Sequence, residues 1–184
     1  MSKRRRSNNS RLSILEATQR VAVERGANKI SLDSVAKEAG LTKGGVLYNF
    51  PNKDALITGL LERLLDNYGP LIEQNVVQLQ GEPQPMLRSL CRVIDQLQEL
   101  DQNIPMAILA AAAENLSLLE PLRRDMASRY QQVQEEAPEP DEASLLWCAA
   151  EGLMLLDLFG LLPFDLKRKS ELLKLLEDKA GEQQ

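Results

Sequence analysis

Apolar positions recur along this chain at the three-and-four spacing of amphipathic helices, and no stretch alternates at period two for long enough to make a strand. Leu12, Ile14, Leu15, Ala17, Val21 and Ala22 predict a first helix over 9–25, stopped by Gly26. Val35, Ala36 and Ala39 predict a second over 32–39, and Gly40 follows where a helix end needs positive φ. A third spans 43–50, with Val46, Leu47 and Phe50 assigned to the core and Lys43, Gly44, Gly45, Tyr48 and Asn49 to the outer side. The fourth starts after Asn52 and carries Leu56, Leu60, Leu61, Leu64 and Leu65. Gly69-Pro70 should kink or break it before it resumes over 71–79. Five more helices are expected over about 85–100, 105–117, 120–135, 142–162 and 165–178. The fold class is all-α, with about nine helices.

The segment from Ser31 to Lys53 carries the clearest chemistry. Ser31 can cap the second helix, Thr42 the third and Asn52 the fourth, because each side-chain oxygen can accept from backbone N–H groups that a first helical turn leaves free. A helix, a glycine turn and a second capped helix form a helix-turn-helix, which lays its second helix in the major groove of DNA. Gly44 and Gly45 each cost that helix about 1 kcal/mol against alanine. Close approach to a phosphate or a base edge would offset the cost. Tyr48 offers a hydroxyl and a flat apolar face, and Asn49 a group able to pair with a base edge or a phosphate. The positive charge of Lys53 opposes the dipole of the fourth helix, so a phosphate there would relieve the conflict.

Charge sharpens this picture. Residues 1–60 hold 11 Lys/Arg against 5 Asp/Glu, whereas residues 61–184 hold 11 against 22. Only the basic head is suited to approach a polyanion. Lys3, Arg4, Arg5 and Arg6 lie in a segment, 1–8, that reads as a disordered arm. It can reach phosphates or the minor groove, and it reads equally as a solubilising tail. The head is expected over 1–55 and a helical body over 56–184. The N-terminus lacks the apolar run of a secretory signal. No run of 18 apolar residues suggests a membrane span. The two cysteines, Cys91 and Cys148, sit in apolar helical contexts, which suits a reducing cytoplasm.

The head over Ile14–Leu61 resembles the DNA-binding head of the TetR (tetracycline-repressor) family. The likeness is carried by 14-ILEATQRVAVERG-26, by 32-LDSVAKEAGLTKGGVLYNFPNKDAL-56 and by their spacing. It implies three N-terminal helices that bind DNA, with Thr42, Lys43, Gly44, Gly45, Tyr48 and Asn49 on the recognition element. It also implies Lys53 at a phosphate, and Ser31 and Ser34 at the backbone-facing start of the second helix. Two positions depart from the family pattern. Leu47 stands where an aromatic is common, and Asn49 stands where histidine is. The resemblance further implies a body that binds an effector and dimerises through its last two helices.

The helices at 142–162 and 165–178 carry more apolar surface than one small bundle can bury, so they are expected to form a homodimer seam. A ligand pocket among the body helices would be lined by Met86, Cys91, Met106, Leu109, Trp147, Met154 and Phe159, each of which also reads as plain core. The expected function is a transcriptional repressor released from a palindromic operator by a small apolar ligand. The alternative is a DNA-binding protein without such an effector, whose body binds another protein. The chain has no histidine, and its two cysteines make no metal pattern. No catalytic residue, metal site or cofactor is therefore expected.

Overall fold

The computed structural model of the chain describes residues 2–97 and 103–182. Nine α-helices and no strand lie among the described residues. They are α1 (Ser2–Arg25), α2 (Leu32–Ala39), α3 (Lys43–Asn49), α4 (Lys53–Gln78), α5 (Pro85–Gln96), α6 (Asn103–Glu114), α7 (Glu120–Glu136), α8 (Pro140–Leu158) and α9 (Leu166–Glu182). Short 3-10 turns cover Ala27–Lys29 and Leu116–Leu119. The last turn expected of the fifth helix, 98–100, lies outside the described residues.

Three expectations need correction. The cations Lys3, Arg4, Arg5 and Arg6 belong to the first turns of α1 rather than to a disordered arm. No glycine or proline interrupts Ser2–Arg25, and lysine and arginine are good helix formers. Second, of the kink or break expected at Gly69-Pro70 the break does not occur, and α4 runs on through it. Proline removes one hydrogen bond and costs a helix interior about 3 kcal/mol. Burial of Ile72, Asn75 and Leu79 on the far side carries the helix on, and Asn75 Nδ2 donates to the Leu71 carbonyl at 2.8 Å. Third, α8 stops at Leu158 rather than 162. Gly160 adopts φ 64°, and the Leu161 N–H returns to the Leu156 carbonyl at 2.7 Å, closing the helix end.

The chain divides into two compact units, Met1–Leu64 with Asp101–Leu122, and Leu65–Leu100 with Arg123–Gln184. This division differs from the expected boundary at residue 55. The first unit takes the start of α4 and all of α6, which packs on α1 and on the 3-10 turn at Ala27–Lys29. Its core comprises Ile14, Leu15, Val21, Ile30, Val35, Val46, Phe50, Leu56 and Leu60.

In the second unit α5 packs chiefly on α9 and α8. One cluster joins Ile72, Met86, Leu87, Leu90, Val133 and Leu146, and another joins Cys91, Ile94, Ala150 and Leu173. Polar ties fix the register. Ser89 Oγ donates to the Ile72 carbonyl at 2.8 Å, and the Met86 N–H donates to Glu136 Oε2 at 2.7 Å, so an α7 carboxylate caps the start of α5. Burial raises the Glu136 pKa, and the Met86 bond opposes that shift. Gln84 turns the chain into α5 at φ 45°, a strained value for a residue with a side chain, and its buried amide donates to the Ala180 carbonyl at 3.2 Å.

Candidate nucleic-acid interface

Local capping builds the motif. Ser31 Oγ accepts from the Ser34 N–H at 3.1 Å, and Ser34 Oγ accepts from the Ser31 N–H at 3.0 Å, a reciprocal cap on α2. Ser34 Oγ also donates to the Lys29 carbonyl at 2.7 Å. Gly40 takes φ 65° and ends α2, with the Leu41 N–H returning to the Ala36 carbonyl at 2.9 Å. Thr42 Oγ1 accepts from the Gly45 N–H at 3.1 Å and starts α3. Asn52 Oδ1 accepts from the Ala55 N–H at 2.8 Å and starts α4, which leaves Lys53 exposed in its first turn.

α3 has seven residues, enough for one inward stripe. Val46 fills it, and Phe50, the residue after its last turn, is also buried. Tyr48 is 82% exposed, as its placement on the outer side requires. Leu47 is 39% exposed and does not join the core as expected. Each residue advances about 100° around a helix, so the residue after Val46 falls on the flank. Gly44, Leu47 and Tyr48 then share one outward face at i, i+3 and i+4.

The remaining candidates are distributed otherwise. Lys43 Nζ pairs with Asp33 Oδ2 at 2.9 Å, with both side chains exposed. Asn49 is half-buried and turns its amide inward, donating to the Gly45 carbonyl at 3.1 Å and to Ser10 Oγ at 3.4 Å. It ties α3 to its own backbone and to α1. Gly44 and Gly45 meet no crowding from the protein itself. A Cβ at Gly44 would find only Thr42 Oγ1 at 3.9 Å, and one at Gly45 would find the same atom at 3.4 Å.

Behind α3 the scaffold is tight. The Arg11 guanidinium lies 4.9 Å from the Phe50 ring centroid and pairs with Glu62 at 3.2 Å. Glu38 on α2 receives Arg20 at 3.0 Å and Arg25 at 2.7 Å, both from α1. The Arg20 hydrogen bond, with the charges of both arginines, holds the Glu38 carboxyl below its ordinary range. Gly59 is a site residue that sequence reasoning passed over. A Cβ there would stand 2.8 Å from Phe50 Cε1 and 3.1 Å from Leu15 Cδ2. Its only sequence signal was a glycine inside a leucine-rich helix.

The residues expected around a ligand are divided between the two units and, within the second, between two clusters. Met86 and Trp147 adjoin one cluster of the second unit, and Cys91 and Met154 adjoin the other. The Cys91 thiol is pushed up to about 12 by burial, with the charges of Glu177 and Glu151 adding to the shift. Met106 and Leu109 belong to the first unit. Phe159 is exposed at the end of α8. It continues a stripe of exposed Leu145, Leu155, Leu156 and Leu161, with Leu166 and Leu175 exposed on α9.

Residues 14–60 match the family described as bacterial regulatory proteins, tetR family, and residues 85–180 match the tetracyclin repressor-like C-terminal domain. Among curated proteins, the chain is 30% identical over 81 residues to the HTH-type transcriptional regulator TtgR of Pseudomonas putida, covering 44% of this chain and 39% of TtgR. The same identity and length relate it to the HTH-type transcriptional regulator AcrR of Shigella flexneri, with 44% and 38% covered. The matched region thus spans about two fifths of those relatives. Among solved structures, a member of the TetR family (SCO1917) from Streptomyces coelicolor A3 superimposes with a TM-score of 0.68 at 22% identity, over 91% of this chain and 97% of that one. The multidrug binding protein EbrR complexed with malachite green gives a TM-score of 0.70 at 23% identity, over 90% and 96%. Both structural likenesses concern the fold. With one family domain matched in the head and the other through the body, the chain belongs to the tetR family of bacterial regulatory proteins.

Proposed function

We propose that this protein is a homodimeric repressor that binds a palindromic operator in cytoplasmic DNA through α3 and leaves it when a small apolar ligand occupies the second unit. The outward face of α3 carries the DNA reading: a doubly capped, glycine-turned helix leaves Leu47 and Tyr48 standing in solvent. Thr42, Gly44, Gly45, Tyr48 and Lys53 form the contact set, with Lys43 free to leave its exposed pair for a phosphate. Ser31, Ser34 and Asn49 position the motif through hydrogen bonds already made within the protein. The helical turns bearing Lys3, Arg4, Arg5 and Arg6 add positive charge to the same head.

The exposed leucines of α8 and α9 support dimerisation through these two helices. Leu145 on α8 is 71% exposed and Leu161, just past its end, 64%, and a second copy is the natural cover for such an apolar stripe. Met86, Cys91, Trp147 and Met154 are the proposed ligand-facing residues. EbrR, of like fold, has been solved in complex with malachite green.

Selection of random duplexes at two salt concentrations tests the reading, with wild type against Tyr48→Ala. Enrichment of a palindrome that the variant no longer selects is the expected result. Binding that is only salt-sensitive, with no enriched site, overturns it. Sedimentation of wild type against Leu155→Glu tests the dimer, the variant being expected to dissociate at protein concentrations where wild type does not.

A further inference from the structure

We propose that Leu47 reads the 5-methyl group of a thymine in the major groove. The inference rests on α3 being the DNA-reading helix and assigns the chemistry that helix recognises.

The outer face of α3 carries an apolar reader in place of a hydrogen-bonding one. Leu47 stands beside Tyr48 on that face, one turn after Gly44. The groups that could form paired hydrogen bonds with a base edge are engaged inside the protein. Asn49 commits its amide N–H groups to the Gly45 carbonyl and Ser10, and Thr42 Oγ1 accepts the Gly45 N–H. Lys43 is drawn back toward Asp33 on α2. On α3, bidentate recognition of adenine by asparagine therefore has no side chain presented for it, and Lys43, free to leave its exposed pair, is the phosphate ligand of this reading.

Thymine is the base that displays an apolar group in the major groove. A leucine held at partial exposure by its helix gains when that methyl covers it, and it gains nothing from the bare C5–H of cytosine. Gly44 makes room for the approach, because beyond its chain neighbours and the helix's own backbone the nearest atom to the Cβ it lacks is Thr42 Oγ1 at 3.9 Å. A base edge can come against the helix backbone there and seat its neighbour's methyl on Leu47.

The test uses the operator recovered by duplex selection, with each dT replaced singly by dU, which removes the methyl and leaves base pairing intact. Affinities are compared for wild type, Leu47→Ala and Leu47→Met at one salt concentration. Wild type is expected to lose about fourfold at one thymine of each half-site, the worth of one methyl withdrawn from water. Leu47→Ala should bind the dT and dU duplexes equally, and Leu47→Met should recover most of the discrimination. Unchanged thermal unfolding of Leu47→Ala confirms that its fold is intact. A wild type indifferent to every dU substitution overturns the proposal, as does a penalty undiminished in Leu47→Ala. Failure to enrich any operator would instead overturn the DNA-binding reading itself.

Discussion

Lys169 Nζ on α9 donates to Asp157 Oδ2 on α8 at 2.6 Å, and the lysine side chain is only 2% exposed. The pair joins the two helices that present the apolar stripe. Lysine is almost never fully buried without a partner, because its charge loses hydration that only an opposite charge and hydrogen bonds can replace. Asp157 lies in the last turn of α8, and Lys169 lies in the first turn of α9. The ion pair therefore closes the corner between them.

Asp157→Asn should destabilise the protein by about 3 kcal/mol, since it leaves the Lys169 charge buried without its counter-charge. At this chain length that corresponds to a fall in Tm of roughly 6–12 °C. Asp157→Leu combined with Lys169→Met should recover most of the loss, because an apolar pair removes the charge along with its partner. Thermal unfolding of Asp157→Leu, Lys169→Met and their combination, analysed as a double-mutant cycle beside Asp157→Asn, checks the coupling. Equal losses in Asp157→Asn and the double variant would show that the corner depends on packing alone.

The helix-turn-helix was readable because its signals are local. Ser31, Gly40, Thr42 and Asn52 each act on backbone groups within a few residues, and each takes the part its position suggested. Leu47 lies on the flank rather than in the core because, in a seven-residue helix, spacing alone does not sort adjacent apolar residues between the two. The run of α4 through Pro70 was hidden because burial of Ile72, Asn75 and Leu79 outweighs a local penalty, and burial depends on partners far away in the chain. The grouping of α6 with the head arises from its packing on α1 and on the 3-10 turn after it, contacts that leave no trace in periodicity. In the sequence Lys169 is one more charge in a polar first turn.

Gly59→Ala separates packing from helix propensity. In an open helix the change should stabilise by about 1 kcal/mol. Here the new methyl meets the Phe50 ring at 2.8 Å and Leu15 at 3.1 Å. Overpacking of this kind costs about 1–3 kcal/mol. The variant should therefore unfold at lower temperature than wild type. Because Phe50 follows directly on α3, operator affinity should fall as well. A rise in Tm would mean that the Phe50 ring moves aside freely.

Gly44→Ala should do the opposite to stability. No protein atom crowds the site, so the alanine should strengthen α3 by about 1 kcal/mol and raise Tm by roughly 2–4 °C. Operator affinity should nonetheless fall by about tenfold, ~1.4 kcal/mol, because the added methyl stands between helix and base edge. Tm and affinity moving in opposite directions is the signature of a residue kept for its partner. Affinity unchanged or improved would show that nothing approaches α3 at this position.

Glu151 gives the second unit a defined response to pH. Burial raises its pKa, the charge of Arg129 opposes the shift and that of Asp125 adds to it. The folded protein therefore holds this proton more tightly than the unfolded chain, whose glutamates titrate near 4.5. Ionised Glu151 is a cost to the fold at neutral pH. That cost is relieved as pH falls through the raised pKa toward the unfolded value, and nothing more is gained below it. Glu151→Gln keeps the shape and removes the ionisation. The variant should be more stable than wild type at pH 7, with the difference shrinking as pH falls toward 4.5. Glu38, whose carboxyl is held low by Arg20 and Arg25, has the reverse sign: its contribution is present above the unfolded value and is lost as pH falls through the lowered one. Comparing Glu151→Gln with wild type at each pH cancels the Glu38 contribution, which both proteins share. A stability difference that stays constant from pH 7 to pH 4.5 would place ionised Glu151 in an environment as hospitable as water.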